Sequence, residues 1–147
     1  MYKDKLKNLF EKIGKNVLLP LATNDGEGNV SVRTVSAIIL NQKIYFQTDV
    51  KMKKAKDIAS NHCVAVCIDG IQIQGVCVEI GRVSENPFFE ELYMHYYPSA
   101  YEKYSNLENE RVFEITPKYI KCWSYIENKP VYEIYDVDKC LYEIKPY

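Results

Sequence analysis

Short runs of β-branched and aromatic residues, separated by turn-forming residues, recur along most of the 147-residue sequence. Such runs are typical of strands, and Asp, Asn and Gly between them indicate tight hairpin turns. The predicted strands are residues 17–25, 29–40, 43–48, 62–69, 71–83, 111–126 and 131–137. Because an open sheet leaves unpaired edges, the pattern predicts a mainly β fold, a small β-barrel of six or seven antiparallel strands with a few helices.

Three segments carry helical signals. Apolar residues recur at helical spacing over residues 6–13 and Gly14 follows them, which predicts an amphipathic first helix. A lysine-rich helix is predicted to end near residue 61, and residues 86–107 form an aromatic, helical stretch that a proline interrupts. No repeat, linker or low-complexity tract divides the chain, so residues 1–147 are predicted to form a single domain.

Charge and cysteine content narrow the classes of function. The net charge is -1, so there is no overall attraction to nucleic acid or anionic lipid, and any basic site must be local. Five cysteines, an odd number without a CxxC pair, argue against a disulfide framework and against common zinc spacings. We therefore expect reduced cysteines and no metal. The amino terminus has neither a signal-peptide pattern nor a spanning segment, so we expect a cytoplasmic location.

The second predicted strand changes its apolar phase in the middle. Val30 and Val32 alternate in one phase, whereas the apolar residues within 35–39 alternate in the other. A β-bulge at Arg33 and Thr34 would re-aim the side chains in this way, and bulges often mark a site. A strand buried on both faces explains the same pattern equally well.

The stretch TDVKMKKAKD has four lysines at the expected start of a helix. The amino end of a helix is partly positive, so ammonium groups there are unfavourable unless an anion compensates them. With Asp49 or Thr48 as the N-cap, Lys51, Lys53 and Lys54 fall within about the first turn. Free main-chain amides and ammonium groups together suit an anion such as a phosphate, whereas a solvated helix face is the alternative.

Several of these features recur together in one known family. They are the arginine of the second strand, the strand end YFQT, the Lys53–Lys54 pair, Asn61 and Gly75. Their order over residues 17–83 resembles the pyridoxamine 5'-phosphate oxidase-like, FMN-binding split-barrel superfamily. Within it, the short chain is most similar to the small 5-nitroimidazole-resistance (NimA/NimC-like) flavoproteins. Met52, Lys53 and His62 depart from the pattern, because the family usually has Ser, Arg and Pro there.

The resemblance implies an FMN at a homodimer interface and assigns cofactor-binding roles to eleven residues. Those expected near the flavin ring are Arg33, the backbone of Thr34, Val35 and Ser36, and Trp123. Those expected toward the phosphate are Gln47, Thr48, Lys53 and Lys54, while Gln72 or Gln74 would reach across from the partner subunit. Simpler interpretations stay open for several of them: an exposed strand arginine, a packing tryptophan and glutamines on the solvent face of a strand.

The resemblance also implies an FMN-dependent oxidoreductase of the flavin reductase, nitroreductase or pyridoxamine-phosphate oxidase type. Reduced nicotinamide would pass electrons through the flavin to a small acceptor, with no side chain as nucleophile. The alternative is a non-catalytic flavin- or heme-binding protein on the same fold. A nucleic-acid-binding barrel is disfavoured by the net charge. His62 lacks a visible partner, and His95 suits a packing contact as well as a substrate roof.

Overall fold

The computed structural model describes residues 1–147, which fold around a β-barrel. The strands are β1 Asn16–Asn24, β2 Val30–Leu40, β3 Lys43–Asp49, β4 Cys63–Ile68, β5 Ile71–Gly81, β6 Glu110–Ile126, β7 Lys129–Asp136 and β8 Leu141–Pro146. The helices are α1 Tyr2–Ile13, α2 Lys53–Ser60, α3 Pro87–Tyr96 and α4 Pro98–Tyr104, with a 3-10 turn at Val83–Glu85. No helix is long and apolar enough to cross a membrane.

Six of the strands close into an antiparallel barrel in the order β3-β2-β1-β4-β5-β6, and β3 pairs with β6 to complete it. The predicted closed barrel is therefore confirmed. β6 is long enough to serve twice, because its first half closes the barrel and its second half pairs with β7. β7 and β8 extend the sheet beyond the barrel. Sequence reasoning missed β8, since this short strand is largely exposed and lacks an apolar alternation.

The barrel interior is a continuous apolar core that α1 closes at one end through Leu6 and Phe10. Phe46 and Phe113 stack inside it with ring centroids 5.4 Å apart. A second, smaller core lies outside the barrel, where Phe89 of α3 packs with neighbours on β2, β3 and β6. This outer core holds α3 and α4 against β2 and β3, and a cavity forms between these elements.

Of the two explanations for the phase change in β2, the bulge is wrong. The β1–β2 ladder runs without interruption from Asn16 opposite Ile38 to Asn24 opposite Val30. Val30 and Val32 lie on the outer face and are 72% and 66% exposed, whereas α3 covers the outer face near Ile38. The phase change in the sequence therefore reflects a change in what covers the outer face. Burial on both faces, the other interpretation, holds only for the carboxyl-terminal part of the strand.

The register is irregular instead between β5 and β6, once beside Gly75 and again between Glu79 and Gly81. A Cβ atom at Gly75 would lie 2.7 Å from the Thr116 carbonyl oxygen and 2.9 Å from Cγ2 of Ile115. Real Cβ atoms do not approach backbone so closely, so only glycine lets the two strands pair here.

We expect Gly75→Ala to lower the free energy of unfolding by about 1–3 kcal/mol, because the added methyl group forces two paired strands apart. Gly70→Ala is the matched control: its Cβ would meet Trp123 at an ordinary 3.6 Å. Its expected cost is below about 1 kcal/mol. Urea denaturation of both variants measures the difference, and equal stability of the two would contradict the close approach at Gly75.

Candidate functional site

A cavity of about 580 Å³ opens on the side of the barrel between β2 and β3, under α3 and α4. Its lining is Thr34, Val35 and Ser36 from β2, Gln47, Thr48 and Asp49 from β3, Met52 and Lys54 around the start of α2, Tyr93, Ala100, Tyr104 and Leu107 from the helical side, and Glu110. The cavity therefore collects six of the eleven residues predicted from sequence.

The cavity exists because β2 and β3 stop pairing. Their ladder contains only three residue pairs and ends at Ile38 opposite Tyr45. Beyond this point β2 stays paired with β1, and β3 stays paired with β6 as far as Asp49. The backbone groups of residues 34–36 that face β3 consequently have no strand partner. They form a row of hydrogen-bonding groups along one wall of the cavity.

Helix α2 begins later than the sequence predicted. Its N-cap is Met52, not Asp49 or Thr48, and Lys51 precedes the helix. The physical reason is a turn before the helix: the Asp49 carboxylate accepts from the Lys51 amide at 2.7 Å, and the Asp49 carbonyl oxygen accepts from the Met52 amide at 3.0 Å. Lys54 is then the lysine whose side chain lines the cavity.

The two lysines of the predicted phosphate pair have different surroundings. Lys53 points to Asp57, one turn along the helix, with 2.9 Å between its Nζ and Oδ1 of Asp57. Asp57 is buried and also accepts from the Thr23 hydroxyl at 2.8 Å. Hydrogen bonds from Lys53 and Thr23 hold the pKa of Asp57 below its ordinary value. Lys53 does not line the cavity, so its contact with a phosphate stays a prediction.

Lys54 has no such carboxylate partner and lies near a second cation. Burial lowers the pKa of Lys54, and the positive charge of Arg33 lowers it further. Arg33 is held in place by Thr23, whose Oγ1 accepts from Nη1 at 2.7 Å. The cationic end of the cavity is therefore under electrostatic strain that an anion beside Lys54 would relieve.

A buried carboxyl group at the other side of the cavity was not found by sequence reasoning. Glu110 is 7% exposed, and its Oε2 accepts from Gln47 Nε2 at 2.9 Å. Ser105 in turn donates to Gln47 Oε1 at 2.7 Å. Burial raises the pKa of Glu110, Asp49 raises it further, and the Gln47 hydrogen bond and Lys54 oppose the rise. In the sequence Glu110 follows Glu108 in a polar stretch, and nothing there signals that one of the two acids is buried.

The remaining predicted residues lie away from this cavity within one chain. Gln72 and Gln74 lie on the outer face of β5, in a groove that also includes Val32. Trp123 lies in an exposed aromatic cluster with Tyr132 and Tyr147, each at a centroid distance of 5.2 Å. The role of Gln72 or Gln74 toward the cofactor of a partner subunit and the role of Trp123 near the flavin ring stay predictions.

Neither histidine lines the cavity. His62 is exposed where β4 begins, and His95 is exposed on α3 beside Tyr96, so Tyr93 and Tyr104 form the aromatic cover instead. All five cysteines are free, and burial raises the pKa of Cys77 to about 12. No group of three or more His, Cys, Asp or Glu side chains is arranged to hold a metal ion.

Known proteins share this architecture. The family model described as pyridoxamine 5'-phosphate oxidase matches residues 3–124. A pyridoxamine 5'-phosphate oxidase-related, FMN-binding protein from Nostoc punctiforme is similar in structure, with a TM-score of 0.65, 14% identity, and coverage of 99% of this chain and 94% of that chain. No curated protein matches the sequence at a significant level.

Two further solved structures share the fold. A NimC/NimA family protein from Clostridium acetobutylicum has a TM-score of 0.58 and 19% identity, with 99% of this chain and 94% of that chain covered. HutZ, the heme storage protein from Vibrio cholerae, has a TM-score of 0.62 and 16% identity, with 79% and 89% covered. The predicted FMN-binding split-barrel fold is confirmed. Since the family match spans most of the residues, the chain belongs to the pyridoxamine 5'-phosphate oxidase family.

Proposed function

We propose that the protein is an FMN-dependent oxidoreductase that passes electrons between a reduced nicotinamide and a small acceptor. The observation that carries the proposal is the cavity itself. It joins a row of unpaired backbone groups at residues 34–36 to the ammonium group of Lys54, near Arg33. A ligand with a hydrogen-bonding ring at one end and an anionic group at the other suits this arrangement.

FMN fits the donor set of the cavity. A volume of about 580 Å³ lies within the range of about 300–1,000 Å³ that is usual for cofactor sites. Lys54 and the Thr48 hydroxyl would hold the phosphate, with Arg33 adding positive charge nearby. The backbone of residues 34–36 would hold the pyrimidine edge, and Gln47 lies between the two ends. When bound, FMN supplies the redox chemistry of the reaction.

In this function, the residues of the chain would bind and orient the cofactor and shield it from solvent. Tyr93, Tyr104 and Leu107 cover the cavity from the helical side and leave it partly open, because Tyr104 and Leu107 are about half exposed. A flat acceptor would enter through this opening. Burial raises the pKa of Tyr93 to about 12, so its hydroxyl stays neutral and donates hydrogen bonds over the whole physiological pH range.

A second copy of the chain is the partner that we propose. The outer faces of β1 and β2 expose Leu18, Val30 and Val32 at 64%, 72% and 66%, and an apolar groove adjoins them on β4 and β5. Pairing of these faces would bury the apolar surface. It would also bring Gln72 or Gln74 toward the partner's cofactor. Five free cysteines support a reducing, cytoplasmic environment.

A non-catalytic flavin- or heme-binding protein is the second candidate. The similarity of the fold to HutZ, a heme storage protein, favours it. The cavity contains no histidine, but Met52 and two tyrosines are residue types that can ligate heme iron, so the spectrum of the purified protein decides between flavin and heme.

The visible spectrum of the purified protein should identify its cofactor. We expect flavin absorbance, release of FMN on denaturation, and bleaching of the bound flavin by NADH or NADPH without oxygen. Anaerobic spectrophotometry and mass analysis of the released compound check this. A Soret band instead of flavin absorbance would support heme binding, and a retained flavin that neither nucleotide reduces would contradict the oxidoreductase.

Lys54 should contribute more to FMN affinity than the other lysines of α2. Lys54→Met keeps the length of the side chain but removes the charge. We expect the dissociation constant for FMN to rise at least about tenfold, since a charge-assisted hydrogen bond contributes about 1.5–3 kcal/mol. Affinity for riboflavin, which lacks the phosphate, should change little. The control is Lys56→Met, at an exposed position of α2 outside the cavity. Fluorescence titration of the wild type and both variants with each flavin measures all six constants, and equal losses of FMN affinity in both variants would contradict the assignment.

The outer face of β2 should be part of the proposed dimer interface. Val32→Asp places a charge on the outer face of β2, and we expect it to convert a dimer into a monomer with weakened FMN binding. The control, Leu141→Asp, changes an equally apolar residue on β8 that is 58% exposed. Light scattering coupled to size-exclusion chromatography measures the mass. A wild-type protein that is monomeric with FMN bound would refute the interface.

A further inference from the structure

Glu110 is the one buried acid in the lining of a cavity that is otherwise suited to an anion. It is 7% exposed, and the Gln47 amide is the side chain that donates to it. Its backbone carbonyl accepts from Arg111, but that guanidinium does not reach the carboxyl group in the hydrogen bonds present. The carboxyl group therefore has one neutral donor and no ion-pair partner within hydrogen-bonding distance.

Charged and titratable groups on three elements, β3, α2 and α3, lie around Glu110. Asp49 of β3 is an acid that disfavours its ionised form, and Lys54 of α2 is a cation that favours it. Tyr93 of α3 is close enough that Glu110 raises its pKa, and it stays neutral. Lys54 is therefore the one group among them that stabilises an ionised Glu110.

An anion bound beside Lys54 shifts the protonation equilibrium of Glu110 toward the neutral form. It neutralises the field of the cation that stabilises the ionised carboxyl group, and it adds a second negative charge to the same buried cavity. Both effects make the ionised form of Glu110 less favourable. The neutral form keeps its acceptor oxygen for Gln47 and gains a hydroxyl that donates to the ligand or to water.

We propose that Glu110 takes up a proton when an anionic cofactor occupies the cavity, so that this residue sets the pH range in which the protein retains the cofactor. The inference rests on the proposed function, because the anionic cofactor is the proposed FMN.

The direction of the pH dependence is set by the two states of the cavity. Glu110 binds a proton more tightly in the occupied protein than in the empty one. Affinity for FMN is therefore highest at low pH, where Glu110 is neutral in both states, and falls as the pH rises between the two pKa values of Glu110. A shift of one pKa unit between the two states corresponds to about a tenfold loss of affinity.

Glu110→Gln is the variant that isolates the effect, because the amide has the same shape, stays neutral and keeps an acceptor for Gln47. Other groups that titrate on binding, including the phosphate near about pH 6 and Lys54, are common to both proteins. The ratio of the wild-type dissociation constant to that of E110Q therefore reports Glu110 alone. We expect this ratio to be about one at the lowest pH at which the protein stays folded and to rise with pH, by about tenfold if bound FMN raises the pKa of Glu110 by one unit.

The probes are FMN and riboflavin, titrated into flavin-free wild type, E110Q and E108Q over this pH range. Glu108 is exposed two residues away and outside the cavity, so E108Q should follow the wild type. Riboflavin should show a smaller ratio, since it brings no phosphate charge. Calorimetry in two buffers of different ionisation enthalpy should show that the wild type takes up more protons, or releases fewer, on binding FMN than E110Q does.

Parallel pH curves for wild type and E110Q would overturn the inference while leaving FMN binding intact. No FMN binding by the wild type at any pH would overturn the proposed function, and the inference with it. If E110Q does not fold by circular dichroism, difference infrared spectroscopy of the wild type with isotope-labelled glutamate decides, since FMN binding without a new band of a protonated glutamate carboxyl group contradicts the inference.

Discussion

The early end of the β2–β3 ladder, at Ile38 and Tyr45, is the constraint on which the cavity and its chemistry depend. Each strand keeps one hydrogen-bonded neighbour beyond that point, β1 for β2 and β6 for β3. The strands therefore separate without leaving the barrel, and the cavity between them has rigid walls. Backbone groups that another strand would normally satisfy are left for a ligand. The barrel thus forms its site by omitting hydrogen bonds from one ladder.

The role of each charged side chain around the cavity depends on its hydrogen-bond and ion-pair partners. Asp57 holds Lys53 through a direct contact and reaches Arg33 through the Thr23 hydroxyl, so one buried acid organises two cations. Lys54, one residue along the helix, has no carboxylate in contact and extends to the cavity. Lys53 therefore makes a structural contact with Asp57, whereas the charge of the neighbouring Lys54 has no carboxylate partner. Glu110, facing Lys54 from β6, makes the cavity sensitive to protons as well as to anions.

The errors of sequence reasoning have specific physical causes. The phase change that suggests a bulge at Arg33 and Thr34 arises because α3 covers only part of the outer face of β2. Asp49 and Thr48 are good capping residues, which predicts an N-cap at one of them, but the Asp49 carboxylate closes a turn that precedes the helix. Glu110 escaped notice because a single acid in a sequence carries no sign of its burial. In each case a contact distant in sequence or a local turn competed with the pattern and decided the outcome.

The sequence by itself determined seven of the eight strands, the turns between them and the order of residues 34–36, 47–48 and 53–54 along the chain. Alternation, turn chemistry and the glycine that permits close strand pairing are local properties, and they are sufficient to predict a closed antiparallel barrel. Only the tertiary structure decided where the β2–β3 ladder ends, which lysine faces the cavity and which acid lies across from it. Those outcomes depend on competition among partners far apart in the chain, and hydrogen bonds to Asp57 and the packing of α3 on the barrel resolve that competition.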